Sequence, residues 1–129
     1  MEGSNYMKAT SAVKLSAEQC ATAMRDGDFD LGVRGAGESV AVILTQGWCP
    51  QWPMMLHWLD KALEDSGAKA FYVEYDAEPF FEPFMTWKED VLGNRSVPYV
   101  RYYRGGSLVA ESNYVSKDAF VAKLTRVAR

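Results

Sequence analysis

Five consecutive apolar residues, Val40 to Leu44, place the strongest limit on how this chain can fold. A strand with one face in water alternates apolar and polar residues, whereas an unbroken apolar run is typical of a strand covered on both faces. Such a strand lies inside a sheet with helices packed on both sides. Helical spacing of apolar residues before and after the run, at 17–26 and 52–66, supplies candidates for those helices. A chain of 129 residues, 48% of them hydrophobic, fits one domain of this kind.

The pattern along the whole chain predicts the element order β-α-β-α-β-α-β-β-α. Ser16, with Gln19 three residues later, forms a weak capping box for the first helix, and Gly27 ends that helix. Three glycines predict a loop over 28–39. The other predicted elements are strands at 11–16 and 68–76, a helix from about Pro83 to Leu92 with Phe84, Trp87 and Val91 on one side, a hairpin over 97–112 and a closing helix opened by Ser116. Strands alternating with helices indicate a layered α/β domain with an antiparallel hairpin at one edge.

Composition and charge narrow the classes of partner. The formal net charge of −3 gives no general attraction to nucleic acid or to an anionic membrane. No apolar run approaches the roughly 20 residues that span a bilayer, and the first residues lack a signal-peptide core, so a cytoplasmic location is the default expectation. Two cysteines and one histidine cannot form a four-ligand cysteine/histidine zinc site within one chain. We expect neither a metal nor a cofactor.

The stretch Gly47-Trp48-Cys49-Pro50-Gln51-Trp52-Pro53 joins the central strand to the next helix. A helix N-terminus favours negative charge and can activate a cysteine thiol, and Pro50 suits a first helical position. Pro53 leaves two starting points open for this helix. If Cys49 is the N-cap, Pro53 deletes the first intrahelical hydrogen bond. The preferred alternative has Trp52 as N-cap and a helix that begins at Pro53.

The element order, with Trp48-Cys49 at a strand-to-helix junction and Val97-Pro98 before the hairpin, resembles the thioredoxin family. The resemblance covers about residues 10–129, with a flexible N-terminal segment at 1–9. It implies a three-layer α/β/α fold with a central mixed sheet, a C-terminal antiparallel hairpin and a closing helix. It also implies that the Val97-Pro98 peptide bond is cis and faces Cys49, and that the backbone of Val97 receives an extended partner peptide.

Two positions depart from the two-cysteine pattern of that family. Trp52 stands where the second cysteine would be, and Ile43 stands where disulfide-reducing members carry a buried proton-accepting aspartate. The other cysteine, Cys20, lies on the apolar stripe of the first helix and is predicted to be a buried small hydrophobe. We therefore predict that Cys49 cannot complete a two-cysteine cycle within this chain. An external thiol must resolve any mixed disulfide formed on it.

Further side chains near the predicted site have more than one interpretation. The family's glycine before the last helix, which helps open the partner groove, maps to Asn113 or Tyr114, where a larger residue could narrow the groove. Trp52 either packs over the Cys49 loop or provides a platform for a partner. Trp48 flanks the thiol in the resembled family, as a shield or as a contact surface.

Three functional hypotheses follow from these residues. The first is a monothiol protein of cell redox homeostasis, in which Cys49 forms mixed disulfides with a protein partner or a low-molecular-weight thiol. The second is a redox-inactive adaptor that recognises a protein partner at the Trp48–Pro53 and Val97-Pro98 surface. The third is iron–sulfur or glutathione handling like that of monothiol glutaredoxins, which the Pro50-Gln51-Trp52 stretch disfavours. The predicted partner-binding residues are Trp48, Pro50, Trp52, Val97 and Pro98, and the predicted catalytic residue is Cys49.

Overall fold

A single mixed sheet forms the centre of the computed structural model, which describes residues 10–125. Its five strands are β1 Val13–Lys14, β2 Ser39–Thr45, β3 Lys69–Glu74, β4 Tyr99–Arg104 and β5 Ser107–Ser112. They are arranged in the order β1-β3-β2-β4-β5. The strand β2 pairs in parallel with β3 and antiparallel with β4, and every residue of β2 is buried. The apolar run therefore lies at the middle of the sheet, as predicted.

Helices cover both faces of this sheet and complete the predicted three-layer α/β/α fold. The helix bounds are α1 Ala17–Asp26, α2 Leu31–Arg34, α3 Gln51–Ser66, α4 Phe81–Thr86 and α5 Lys117–Thr125. One core cluster joins α3 and α5 to the face that carries Ala41 and Ile43. The other joins α1 and α4 to the face that carries Val40, Val42 and Leu44. A 3₁₀ turn spans Tyr75–Ala77, and α4 continues directly into a π-helical turn at Trp87–Val91.

Local capping residues account for both ends of the first helix. The Ser16 side chain accepts a hydrogen bond from the Gln19 backbone N–H, and the Gln19 side chain accepts one from the Ser16 N–H, which confirms the capping box. Gly27 ends α1 in the left-handed region, at φ 93°. The predicted loop at 28–39 contains the short helix α2, because the Asp30 side chain caps the N–H of Val33.

The start of α3 corrects the prediction made from Pro53. The helix begins at Gln51 with Pro50 as N-cap, so neither Cys49 nor Trp52 is the N-cap. Pro53 is then the third helical residue. The N–H groups of the first three helical residues have no intrahelical acceptor, so the missing N–H of Pro53 removes no hydrogen bond. The two prolines thus lie within the first turn without breaking the helix.

The side chains that point inward after α4 differ in part from the prediction. The Leu92 N–H donates to the Trp87 carbonyl across five residues, instead of the four of an α-helix. Trp87 is buried as expected, but Val91 is 63% exposed, which contradicts its predicted place on the same side. Lys88 is instead fully buried. Lys88 lies four residues after Phe84, so it is on the same face of the helix as Phe84, and two carbonyls accept from its amine there. Val91 comes at the end of the π-helical turn, where the regular spacing used for the prediction no longer holds.

The predicted flexible segment at 1–9 lies outside the described residues, as do the last four residues of the chain. The boundary at residue 10 therefore stays a prediction.

Candidate functional site

Cys49 lies in the turn between β2 and α3, directly before the N-cap Pro50. Its backbone N–H donates to the Gln46 carbonyl (3.2 Å), and its own carbonyl accepts from the Trp52 N–H (3.1 Å). These two bonds hold the turn on both sides of the cysteine. The Cys49 Sγ donates to the Val97 carbonyl at 3.6 Å, and the residue is 4% exposed. The thiol therefore points at the segment before Pro98 rather than into bulk water.

An open groove of about 470 Å³ runs beside this thiol. The Val97-Pro98 peptide bond next to the groove is cis. The structure brings four of the predicted site residues, Trp48, Cys49, Pro50 and Val97, to the wall of the groove, whereas Trp52 and Pro98 do not line it. The remaining lining residues are Gln46, Gln51, Arg95 and Ser96.

The two tryptophans of the motif have opposite environments. Trp48 is 65% exposed, and its indole N–H donates to the Gln46 side chain (2.6 Å). Trp52 is 2% exposed, its indole N–H donates to Glu74 (2.6 Å), and its ring centroid lies 5.7 Å from that of Tyr72. Of the two interpretations of Trp52, packing rather than a partner platform is therefore the observed one, and its ring lies in the same core cluster as Cys49. Trp48 alone of the pair offers a surface to a partner.

The two cysteines lie in different layers of the fold. Cys20 belongs to the core cluster of α1, whereas Cys49 belongs to that of α3, and both are free thiols. Burial raises the pKa of Cys20 to about 12, with a smaller contribution in the same direction from Glu78. The prediction that Cys20 is a buried hydrophobe is confirmed. Ile43 is fully buried in the Cys49 layer, and its side chain cannot accept a proton.

A polar cluster supports the segment that leads to Pro98. The Asn113 side-chain amide donates to the carbonyls of Pro98 (2.9 Å) and Ser96 (3.2 Å), and it exchanges two hydrogen bonds with the Asn94 side chain. The expectation that Asn113 or Tyr114 narrows the groove is not met, since neither lines it. The position of Asn113 before the last helix suggested that it lies near the groove, but nothing in the sequence indicated its hydrogen bonds to Ser96 and Pro98.

Residues 10–125 were searched for groups that could bind a metal and for helices that could cross a membrane, and neither was found. No group of three or more histidine, cysteine or acidic side chains in that range could hold a metal ion. No helix in the same part of the chain is long and apolar enough to cross a membrane.

Comparison with solved structures identifies the fold. The chain is similar to a mutant thioredoxin from Halobacterium salinarum NRC-1, with 16% identity over 95% of this chain and 99% of that chain and a TM-score of 0.63. It is similar to oxidised thioredoxin O2 from Arabidopsis thaliana, with 16% identity over 91% and 96% of the two chains, and to spinach chloroplast thioredoxin f, with 18% identity over 92% and 96%, each at a TM-score of 0.63. No family model matches the sequence, and no curated protein does.

These likenesses show that the chain has the thioredoxin-like fold. At these levels of sequence identity, the likenesses establish the fold only, and the chemistry must be argued from the residues of the site.

Proposed function

We propose that this chain is a thioredoxin-like thiol protein that exchanges disulfides through Cys49 alone. The observation that carries the proposal is the position of the Cys49 Sγ, 3.6 Å from the Val97 carbonyl and on the wall of an open groove. A partner segment lying along that groove would bring its own sulfur to the thiol and its backbone to Val97. The exposed Trp48 ring adds an apolar surface beside the same groove.

The first step begins with loss of the thiol proton to solvent. The Cys49 Sγ leaves its hydrogen bond with Val97 and attacks one sulfur of the partner's disulfide as a thiolate. A bond forms between Cys49 and that sulfur, the partner's disulfide breaks, and its second sulfur leaves as a thiolate. The freed Val97 carbonyl can then accept a backbone N–H of the partner.

The second step requires thiols from outside the chain, because Trp52 fills the place of a second cysteine and Cys20 lies in the other layer. The thiolate of a low-molecular-weight thiol attacks the Cys49 sulfur and releases the partner's remaining thiolate. A second such thiolate attacks the adduct and restores Cys49. The balance is one partner disulfide reduced and two small thiols oxidised to their disulfide.

Adduct formation tests this proposal directly. The native protein is incubated with an excess of a low-molecular-weight disulfide near pH 7.5, and intact mass spectrometry counts the adducts. We expect one adduct on wild type, one on Cys20→Ser and none on Cys49→Ser, with full reversal by added thiol. A native protein that takes no adduct while its urea-unfolded form takes two would refute the proposal.

A second candidate function rests on the low exposure of the thiol. Cys49 is 4% exposed and hydrogen-bonded to a carbonyl, while Trp48 beside it is 65% exposed. Both features favour a redox-inactive adaptor that binds a partner through the groove. It predicts that Cys49→Ser suppresses aggregation of a cysteine-free unfolded client as well as wild type does, and that Trp48→Ala suppresses it less. Equal suppression by all three proteins would count against this candidate.

A further inference from the structure

Lys88 is a fully buried lysine next to the candidate site, in the π-helical turn after α4. Its Nζ donates to the carbonyls of Asn94 (2.9 Å) and Ser96 (2.8 Å), and it lies 5.6 Å from the centre of the Tyr99 ring. Within residues 10–125, Lys88 forms no ion pair. A buried amine without a carboxylate partner costs stability, and an apolar side chain of similar length would fill the same space.

The two carbonyls that Lys88 binds belong to the segment that forms one wall of the groove. Ser96 lines the groove, and Val97, the next residue, accepts the hydrogen bond from Cys49. The Ser96 carbonyl also accepts from the Asn113 amide at 3.2 Å, so two side chains from different elements hold the same atom. Lys88 lies in the π-helical turn, and Asn113 is the residue that follows β5.

We propose that Lys88 is a positioning residue that holds the 94–97 segment so that the Val97 carbonyl faces the Cys49 thiol. The role rests on the proposed function, because the placement of Val97 matters to chemistry only if Cys49 reacts. Lys88 does not touch the thiol or the groove, and it acts through the backbone that it binds. An apolar residue in the same space would have no donors for the carbonyls of Asn94 and Ser96.

The charge state of Lys88 does not decide this role. Burial lowers the pKa of Lys88 to about 8, and the neighbouring Glu89 opposes that shift. An amine keeps two N–H donors after it loses its proton, which equals the number of carbonyls that Lys88 binds. The two hydrogen bonds therefore persist on both sides of the titration.

The experiment measures the pH dependence of Cys49 alkylation in four folded proteins: wild type, Lys88→Met, Asn113→Ala and the surface control Lys69→Met. Loosening the segment moves away the Val97 carbonyl, which accepts from the Cys49 S–H. We expect Lys88→Met and Asn113→Ala each to lower the midpoint of alkylation by about half a pH unit, the equivalent of a weak hydrogen bond. Lys69→Met should leave the midpoint unchanged.

Asn113→Ala separates positioning from charge, because it loosens the same carbonyl without removing a cation. If Lys88→Met raises the midpoint while Asn113→Ala lowers it, Lys88 acts on the thiol by its charge and the proposal is overturned. Unchanged midpoints in both variants overturn it as well. Shifted midpoints in a protein that forms no adduct with small disulfides would support the positioning role of Lys88 and refute the proposed exchange chemistry instead.

Discussion

Replacing Trp52 with phenylalanine tests whether the residue in place of a second cysteine serves as structural support. The substitution removes the 2.6 Å hydrogen bond from the indole to Glu74 and part of a side chain that is 2% exposed. A hydrogen bond to a charged group contributes about 1.5–3 kcal/mol, and the smaller ring buries less apolar surface, worth about 1 kcal/mol. We expect the free energy of unfolding to fall by about 2–4 kcal/mol.

The measurement is urea unfolding followed by far-ultraviolet circular dichroism, since the substitution changes the tryptophan fluorescence. Trp48→Phe is the matched control: it makes the same chemical change at a side chain that is 65% exposed, and should cost less than about 0.5 kcal/mol. Combining Trp52→Phe with Glu74→Gln should show a coupling energy of about 1–2 kcal/mol. A cost below 1 kcal/mol together with no coupling would refute the assignment of Trp52 as a support for the Cys49 turn.

Three further predictions concern other parts of the fold. Burial raises the pKa of Tyr102 to about 12, so the unfolded chain loses this proton above pH 10 while the folded chain keeps it, and stability falls from pH 10 to 12. Tyr102→Phe should flatten that fall by up to about 1.4 kcal/mol per pH unit in urea titrations. Ser16→Ala removes the capping box of α1 and should cost about 1 kcal/mol by thermal unfolding, with an unchanged melting temperature as the contrary result. Pro53→Ala should change stability by less than about 0.5 kcal/mol, and a gain above 1 kcal/mol would mean that Pro53 removes an intrahelical hydrogen bond.

The architecture was predictable because its signals are local and repeated. The apolar run of β2, the capping box at Ser16 and the stop at Gly27 each depend on residues within a few positions of one another. Each signal could therefore be read without knowing the structure of the loops between the elements. The resemblance then supplied the arrangement of the layers, which composition and periodicity alone do not define.

The site was less predictable because its details depend on contacts distant in sequence. The Cys49 thiol donates to Val97, 48 residues later, and the buried Trp52 indole donates to Glu74, 22 residues later. The start of α3 was misplaced because the rule for Pro53 depends on which residue is the N-cap. Lys88 was missed because a lysine on the apolar side of a predicted helix is expected to reach solvent, whereas its two carbonyl acceptors lie six and eight residues later.

That π-helical turn makes the length of the chain a determinant of the site. Each residue of an α-helix rotates the next side chain by about 100° around the axis. Deleting Glu89 or Asp90 would let the ordinary helical ladder close, and it would rotate the carbonyls of Asn94 and Ser96 by about 100° relative to Lys88. A relative that kept every neighbouring residue but lacked this one position would present the same groove with an unsupported wall.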